Sequence, residues 1–342
     1  DAAIEALKRP QVTGVTIAAA KNDQIIFASG FGLANIETKE PVTVNTKMRT
    51  GSVSKVYTTA LIGKLLEAKQ LDIDLPVQTY VPSFPEKQWP ITVRQMSAHM
   101  GGIRHYRGNE FSSTKHYPTV LTGLEIFQND PLNFKPGTKS EYSSYAWNLI
   151  SAALETAGQK PFLKQMQTDI FQELGMTNTV AEDVTKKIEN LAAFHETRGT
   201  TTVIAPFVDN SYKWAGGGFI GTASDMARFG LAHTKPGFLS ADTLIALRTE
   251  QQTSMGVDTG FGIGWMTAGS MKRRLLRNNR SELAKSFSDQ LMWHSGGSMG
   301  AVALLLVDPV EQSAVALMAN NSGSFSTILE LGLNTLGLLQ DR

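Results

Sequence analysis

Along Ser52–Ala68 the apolar residues Val53, Val56, Leu61, Leu65 and Leu66 recur at helical spacing, which predicts an amphipathic helix. Gly51 and Ser52, just ahead of that stripe, supply a turn and a helix-start signal. Upstream, Val12–Ala20 is rich in β-branched and small apolar residues. The turn residues Lys21-Asn22-Asp23 follow it, and Ile25–Gly30 resumes the apolar pattern, so the pair predicts a β-hairpin. Asp1–Lys8 has helical character. Four prolines within Leu75–Pro90 predict an extended connection. Helical patterns then cover Val93–His99, Pro118–Gln128, Tyr145–Thr156 and Pro161–Leu174.

After Ala205 the texture turns Gly-rich and alternating, over Gly216–Thr222, Phe261–Thr267, Leu291–His294, Ala301–Val307 and Ala314–Ala319. Ser324–Leu339 closes the chain with a helical pattern. Strand patterns at both ends with helices between them predict an α/β (α+β) fold, with a mostly antiparallel sheet flanked by helices. On this reading residues 1–75 and 205–342 build the α/β domain, and residues 76–204 form an inserted, mainly helical subdomain. Met271–Arg280 concentrates five basic residues and reads as a solvated loop between two strands. With no aromatic residues nearby it is a poor nucleic-acid patch.

Composition narrows the function classes. The chain has 342 residues with 32 Lys+Arg against 31 Asp+Glu, a net charge of +1, which excludes capture of a polyanion by bulk charge. Hydrophobic residues make up 42% and charged residues 18%, below the roughly 25% of an average globular chain, so wholesale disorder is excluded. The longest uninterrupted apolar run, Ala301–Val307, is far short of the ~20 residues that cross a bilayer, and a soluble protein is expected. The absence of cysteine excludes disulfides, thiolate nucleophiles, Fe–S clusters and Cys-based zinc sites, and is compatible with an oxidising compartment. The start at Asp1 reads as a processed or trimmed terminus.

The most informative segment is Ser52-Val53-Ser54-Lys55. On a helix, positions i and i+3 share a face, so the Ser52 hydroxyl and the Lys55 amine can meet. A serine is a poor nucleophile without a base in reach, and a lysine serves as base only when burial or nearby charge lowers its pKa. The helix start adds free N–H groups that favour an oxyanion. Taken alone, S-x-x-K is common, and the same four residues read more readily as a serine cap and a surface lysine.

The rest of the chain supplies context. Met48-Arg49-Thr50-Gly51-Ser52-Val53-Ser54-Lys55, then Pro136-Gly137-Thr138 followed by Tyr142-Ser143-Ser144, then His294-Ser295-Gly296-Gly297 occur in that order. They resemble the S-x-x-K, Y-x-N and K-T-G motifs of the serine β-lactamase and penicillin-binding-protein superfamily, in its class C and esterase-type branch. Further segments resemble the mitochondrial serine β-lactamase-like proteins of animals: Thr92-Val93-Arg94, His99, Gly102–Tyr106, Phe127–Gly137 and Pro206–Phe219. The chain lacks the long charged insert of that group after Arg104-His105-Tyr106, so a compact bacterial relative is expected.

The resemblance implies roles. Ser52 would attack the carbonyl and carry the acyl group, while Lys55 and Tyr142 would share proton transfer, with the base left open between them. The amides of Ser52 and Gly297 would form the oxyanion hole. Ser144, His294, Ser295 and Gly296 would line the substrate site, with Tyr212 and Trp214 at its edge. Ser144 stands where the family has asparagine, and His294 where it commonly has lysine. A histidine near pKa 6.5 is only partly charged at neutral pH, so both departures favour neutral ester or peptide substrates over β-lactams.

Other matches carry less. Gly216, Gly218 and Gly221 satisfy G-x-G-x-x-G without the preceding strand or following acidic residue of a dinucleotide site. Trp293 occupies the first glycine position of a G-x-S-x-G elbow around Ser295. His195-Glu196 lacks a second histidine at metal spacing, and His99, His105, His116 and His233 are scattered, so no metal or other cofactor is expected. The segment around His99 reads as structural. The sequence thus points to a serine hydrolase cleaving esters or amides of a small-molecule or peptide substrate. The alternatives are a D-amino-acid peptidase, a weak β-lactamase or a non-catalytic scaffold. A periplasmic or secreted location is expected, and oligomeric state is open.

Overall fold

In the computed structural model the Lys21-Asn22-Asp23 turn closes a hairpin between β1 (Gly14–Lys21) and β2 (Gln24–Asn35). Asn22 and Asp23 both have positive φ, 49° and 68°, the combination that a two-residue turn between twisted strands requires. The structure describes Glu5, Arg9 and residues 11–340; apart from Glu5, the expected helix over Asp1–Lys8 lies outside the described residues. Along the chain follow β3 (Glu40–Pro41), β4 (Met48–Arg49), β5 (Val180–Ala181), β6 (His195–Arg198), β7 (Thr201–Ile204) and β8 (Phe219–Gly221). The last strands are β9 (Met266–Thr267), β10 (Met292–Ser298), β11 (Ala301–Asp308) and β12 (Ser313–Ala319). The main sheet has the order β3-β2-β1-β12-β11-β10-β9, antiparallel throughout, so that β1 and β12 join the two ends of the chain at its centre. A small sheet, β4-β8-β5, and the β6–β7 hairpin stand apart.

β11 and β12 are buried along their whole length because helices cover both sheet faces. Alternate residues then belong to two different cores. Ala303, Leu305, Val307, Ala316 and Met318 pack with α1 (Ser54–Glu67), α2 (Tyr145–Ala157) and α3 (Ala223–Leu231). Val302, Leu304, Leu306, Val315 and Leu317 pack with α4 (Ala268–Arg277) and α5 (Phe325–Leu338). This is why β11 and β12, expected as alternating segments, are instead apolar at nearly every position.

Three expectations need correction. Met271–Arg280 is not a solvated loop: α4 runs to Arg277, because Ala268, Met271 and Leu275 form a buried stripe and the Thr267 hydroxyl caps the helix by accepting from the Ser270 amide. The residues Trp214–Gly217 form a short helix ahead of β8, and in Phe261–Thr267 only Met266–Thr267 is strand. β10 runs on through His294-Ser295-Gly296-Gly297 to Ser298, past the expected Leu291–His294 segment.

Candidate active site

The tight Gly51–Val53 turn leads from β4 into α1 and carries Ser52. Gly51 takes φ 50°, and a Cβ there would lie 2.7 Å from the Gly297 nitrogen. From the other side, a Cβ on Gly296 would lie 3.1 Å from the Ser52 nitrogen. Glycine on both segments lets the backbones of Ser52 and Gly297 meet, which is the juxtaposition a two-amide oxyanion hole needs.

Lys55 sits in the first turn of α1, three residues after Ser52, fully buried. Its Nζ is 3.0 Å from Ser52 Oγ, 3.1 Å from Ser144 Oγ and 2.6 Å from the Gly216 carbonyl oxygen. Burial, and after it the charge of Lys213, holds the Lys55 amine well below the ordinary lysine value of 10.5. A neutral amine has two hydrogens and one lone pair. In that state, with the hydrogens directed to Gly216 and Ser144, the lone pair faces the Ser52 hydroxyl, whereas the charged amine donates to all three oxygens. Ser144 thus keeps a lysine contact although it lacks the amide of asparagine.

Tyr142 approaches from the loop before α2, and its hydroxyl donates to Ser52 Oγ at 2.8 Å. Burial pushes the phenol up to about 12, so it stays protonated at neutral pH. Two histidines brace this loop. Nδ1 of His99 accepts from the Ser143 amide and Nδ1 of His105 from the Ser144 amide, both at 3.1 Å. The His99 ring also stacks on Tyr142 with centroids 4.2 Å apart. Burial is the first cause that lowers both imidazoles, with Lys55 second, taking His105 to about 4. His99 therefore acts on the loop, in keeping with the structural reading of its segment.

Ser52, Tyr142, Ser144 and Gly297 line one cavity of about 380 Å³. His294 does not line it. The ring is buried, Nδ1 donates to the Ser295 carbonyl at 2.6 Å, and burial followed by the charge of Lys55 lowers the imidazole to about 3. The partly charged histidine expected from the sequence is instead neutral. Ser295 and Gly296 are absent from the cavity wall too, Gly296 being packed against Thr50. Tyr212 and Trp214 are buried behind the wall, so neither stands at the cavity edge.

The cavity includes residues to which the sequence motifs assigned no site role: His105, Phe111, Ser298, Ser322 and, above all, Lys213. Lys213 is buried beside Tyr106, Phe111 and Tyr212, and burial followed by the Arg49 charge lowers its amine to about 7. Its signal in the sequence was a lysine between two aromatic residues, Tyr212 and Trp214, just ahead of a glycine run. Among the described residues no group of three or more metal-ligating side chains forms, and no helix is long and apolar enough to cross a membrane.

Comparison with known proteins places the chain in a family and a fold. A family model described as Beta-lactamase matches residues 1–333. The serine beta-lactamase-like protein LACTB, mitochondrial, of Bos taurus is 29% identical, over 89% of this chain and 70% of that protein. Among solved structures, EstCE1, a hydrolase with promiscuous acyltransferase activity, superposes with a TM-score of 0.80 at 20% identity, covering 98% of this chain and 96% of the other. A class C beta-lactamase also gives 0.80, at 18% identity, over 100% and 95%. At such identities the two structures speak for a shared fold.

Proposed function

The chain belongs to the beta-lactamase family, and from that premise we propose that it is a serine hydrolase cleaving ester or amide bonds through an acyl-enzyme on Ser52. The observation that carries this reading is the convergence of Lys55 Nζ and Tyr142 Oη on one Ser52 oxygen, at 3.0 and 2.8 Å. Lys55 accepts the Ser52 proton as Oγ attacks the substrate carbonyl carbon. The oxyanion forms against the amides of Ser52 and Gly297. Tyr142, a protonated phenol, gives its proton to the leaving oxygen or nitrogen and is reprotonated from Lys55. Water then attacks the acyl carbon by the same route in reverse and frees Ser52.

Support for Lys55 rather than Tyr142 as the base comes from the opposite directions of their shifts: the amine is lowered toward neutrality and the phenol is raised away from ionisation. A scaffold role would not require a buried lysine held against a serine.

The test is intact-mass analysis after incubation with a fluorophosphonate, with peptide mapping, on wild type and Ser52→Ala. One adduct on Ser52, lost in the variant, is the expected result. An unlabelled wild type, under conditions that label a control hydrolase, sinks the catalytic reading.

A further inference from the structure

We propose that Lys213 is the anion-recognition residue of this cavity, selecting substrates that carry a free carboxylate near the scissile ester or amide bond. The inference rests on the hydrolase reading of the same site and names its substrate class.

Lys213 is 2% exposed, yet it lines the cavity that Ser52 opens into. Its amine meets only ring faces, 4.4 Å from the Phe111 centroid, 5.1 Å from Tyr212 and 5.5 Å from Tyr106. No carboxylate among the described residues lies within ion-pair reach of it. Glu182, whose charge bears on it, is taken by Arg49 at 2.6 Å, and Glu110 by Arg104 at 2.7 Å. Aromatic faces attract a cation without neutralising it, so the buried amine lacks a counter-charge that a bound anion would supply.

The rest of the cavity agrees. Lys213 is the one amine that lines it, Lys55 lies buried against Ser52, and no acidic side chain lines it. A Cβ on Gly217 would lie 3.7 Å from Lys213 Cδ and 3.7 Å from the Gly51 carbonyl carbon, so the lysine stem runs beside the nucleophile's own turn. An anion held by Lys213 therefore shares the cavity with the reacting carbonyl. His294, at the position where the family commonly has a cation, is neutral and outside the cavity wall. On this proposal the cation comes from a different segment of the chain, and anionic rather than neutral substrates are favoured.

The titratable groups around Lys213 are Arg49 and Glu182 behind it, Tyr106 and Tyr212 around its amine, and Lys55 and His105 across the cavity. With its amine lowered to about 7, Lys213 is only partly charged at neutral pH, and a bound carboxylate raises the charged fraction.

Two matched ester pairs test the proposal: 4-acetoxybenzoate against its methyl ester, and 4-nitrophenyl hydrogen adipate against its methyl ester. The readout is the kcat/KM ratio of anionic to neutral member. We expect wild type to favour the anion by roughly tenfold or more in at least one pair, as a charge-assisted contact implies. The ratio should fall toward unity in Lys213→Met, persist in Lys213→Arg, and decline in wild type as pH rises from 6 to 9. A ratio near unity in wild type for both pairs overturns the proposal. So does a preference that survives Lys213→Met while both rates fall together, since that marks a structural role. If Lys213→Met does not fold, the wild-type pH series decides alone. If Ser52 takes the fluorophosphonate but no ester turns over, protection against labelling by each pair member gives the same ratio. Absence of both labelling and turnover is a different failure, that of the hydrolase reading itself.

Discussion

Gly296 and Thr50 are packed so closely that a Cβ on the glycine would fall 1.9 Å from the threonine carbonyl oxygen. This contact presses β10 against the turn that carries Ser52. Gly296→Ala cannot be absorbed by a side-chain rotation, because the obstacle is backbone. We expect it to lose about 1–3 kcal/mol of stability in urea unfolding. Its fluorophosphonate labelling of Ser52 should also slow, because the Gly297 amide shifts with the strand. Unchanged labelling would detach the β10 approach from catalysis.

Lys55→Met and Tyr142→Phe separate the two proton-transfer groups. Both should lower kcat/KM by about 10²-fold or more, in the range of general acid–base contributions. Since Lys55 must be neutral to accept a proton, wild-type activity rises with pH through the lowered Lys55 pKa. It should reach a plateau well below pH 10.5, the ordinary lysine value. A pH–rate profile with no rise until pH 10 would remove Lys55 as the base.

Glu182 bridges Arg49 and Asn210 in the interior, with Arg49 Nη2 at 2.6 Å and Asn210 Nδ2 at 2.6 Å. Glu182→Ala strands a buried guanidinium next to the Lys213 amine. A loss of about 3–5 kcal/mol is expected in chemical denaturation, against little change for a rim pair such as Lys187–Glu189. A neutral outcome would mean that Arg49 is compensated by the Met299 carbonyl alone.

Stability should depend on pH in a defined direction. Burial lowers His294 to about 3 and His105 and His233 to about 4 in the folded chain, from the ordinary 6.5. Between those values the unfolded chain binds more protons, so stability falls as pH drops below about 6.5. Lys213, lowered to about 7 from 10.5, extends the same trend upward: its contribution is complete above the unfolded value and is lost as pH falls toward 7. Thermal midpoints should therefore climb from pH 4 to about 10, and His294→Gln should flatten the acid limb. A midpoint that is level between pH 4 and 7 would contradict the burial of these histidines as neutral rings.

Local rules made part of this protein legible without coordinates. The i,i+3 spacing of Ser52 and Lys55 is a property of one helical turn, and the Lys21-Asn22-Asp23 turn is closed by residues that tolerate positive φ. The mostly antiparallel sheet followed from hairpin-like patterns near both termini. Motif order brought Tyr142 to Ser52 across 90 residues only through resemblance, because no local rule links them. What the tertiary structure alone decided is which charges the cavity holds. His294 was expected in it and is sealed behind it as a neutral ring, while Lys213, an unremarked residue of an aromatic stretch, lines its wall. Spacing along one segment cannot reveal this, because burial and counter-charge depend on what other segments bring alongside: Arg49 and Glu182 from far apart in the chain, and Tyr106 and Phe111 from the loop across the cavity.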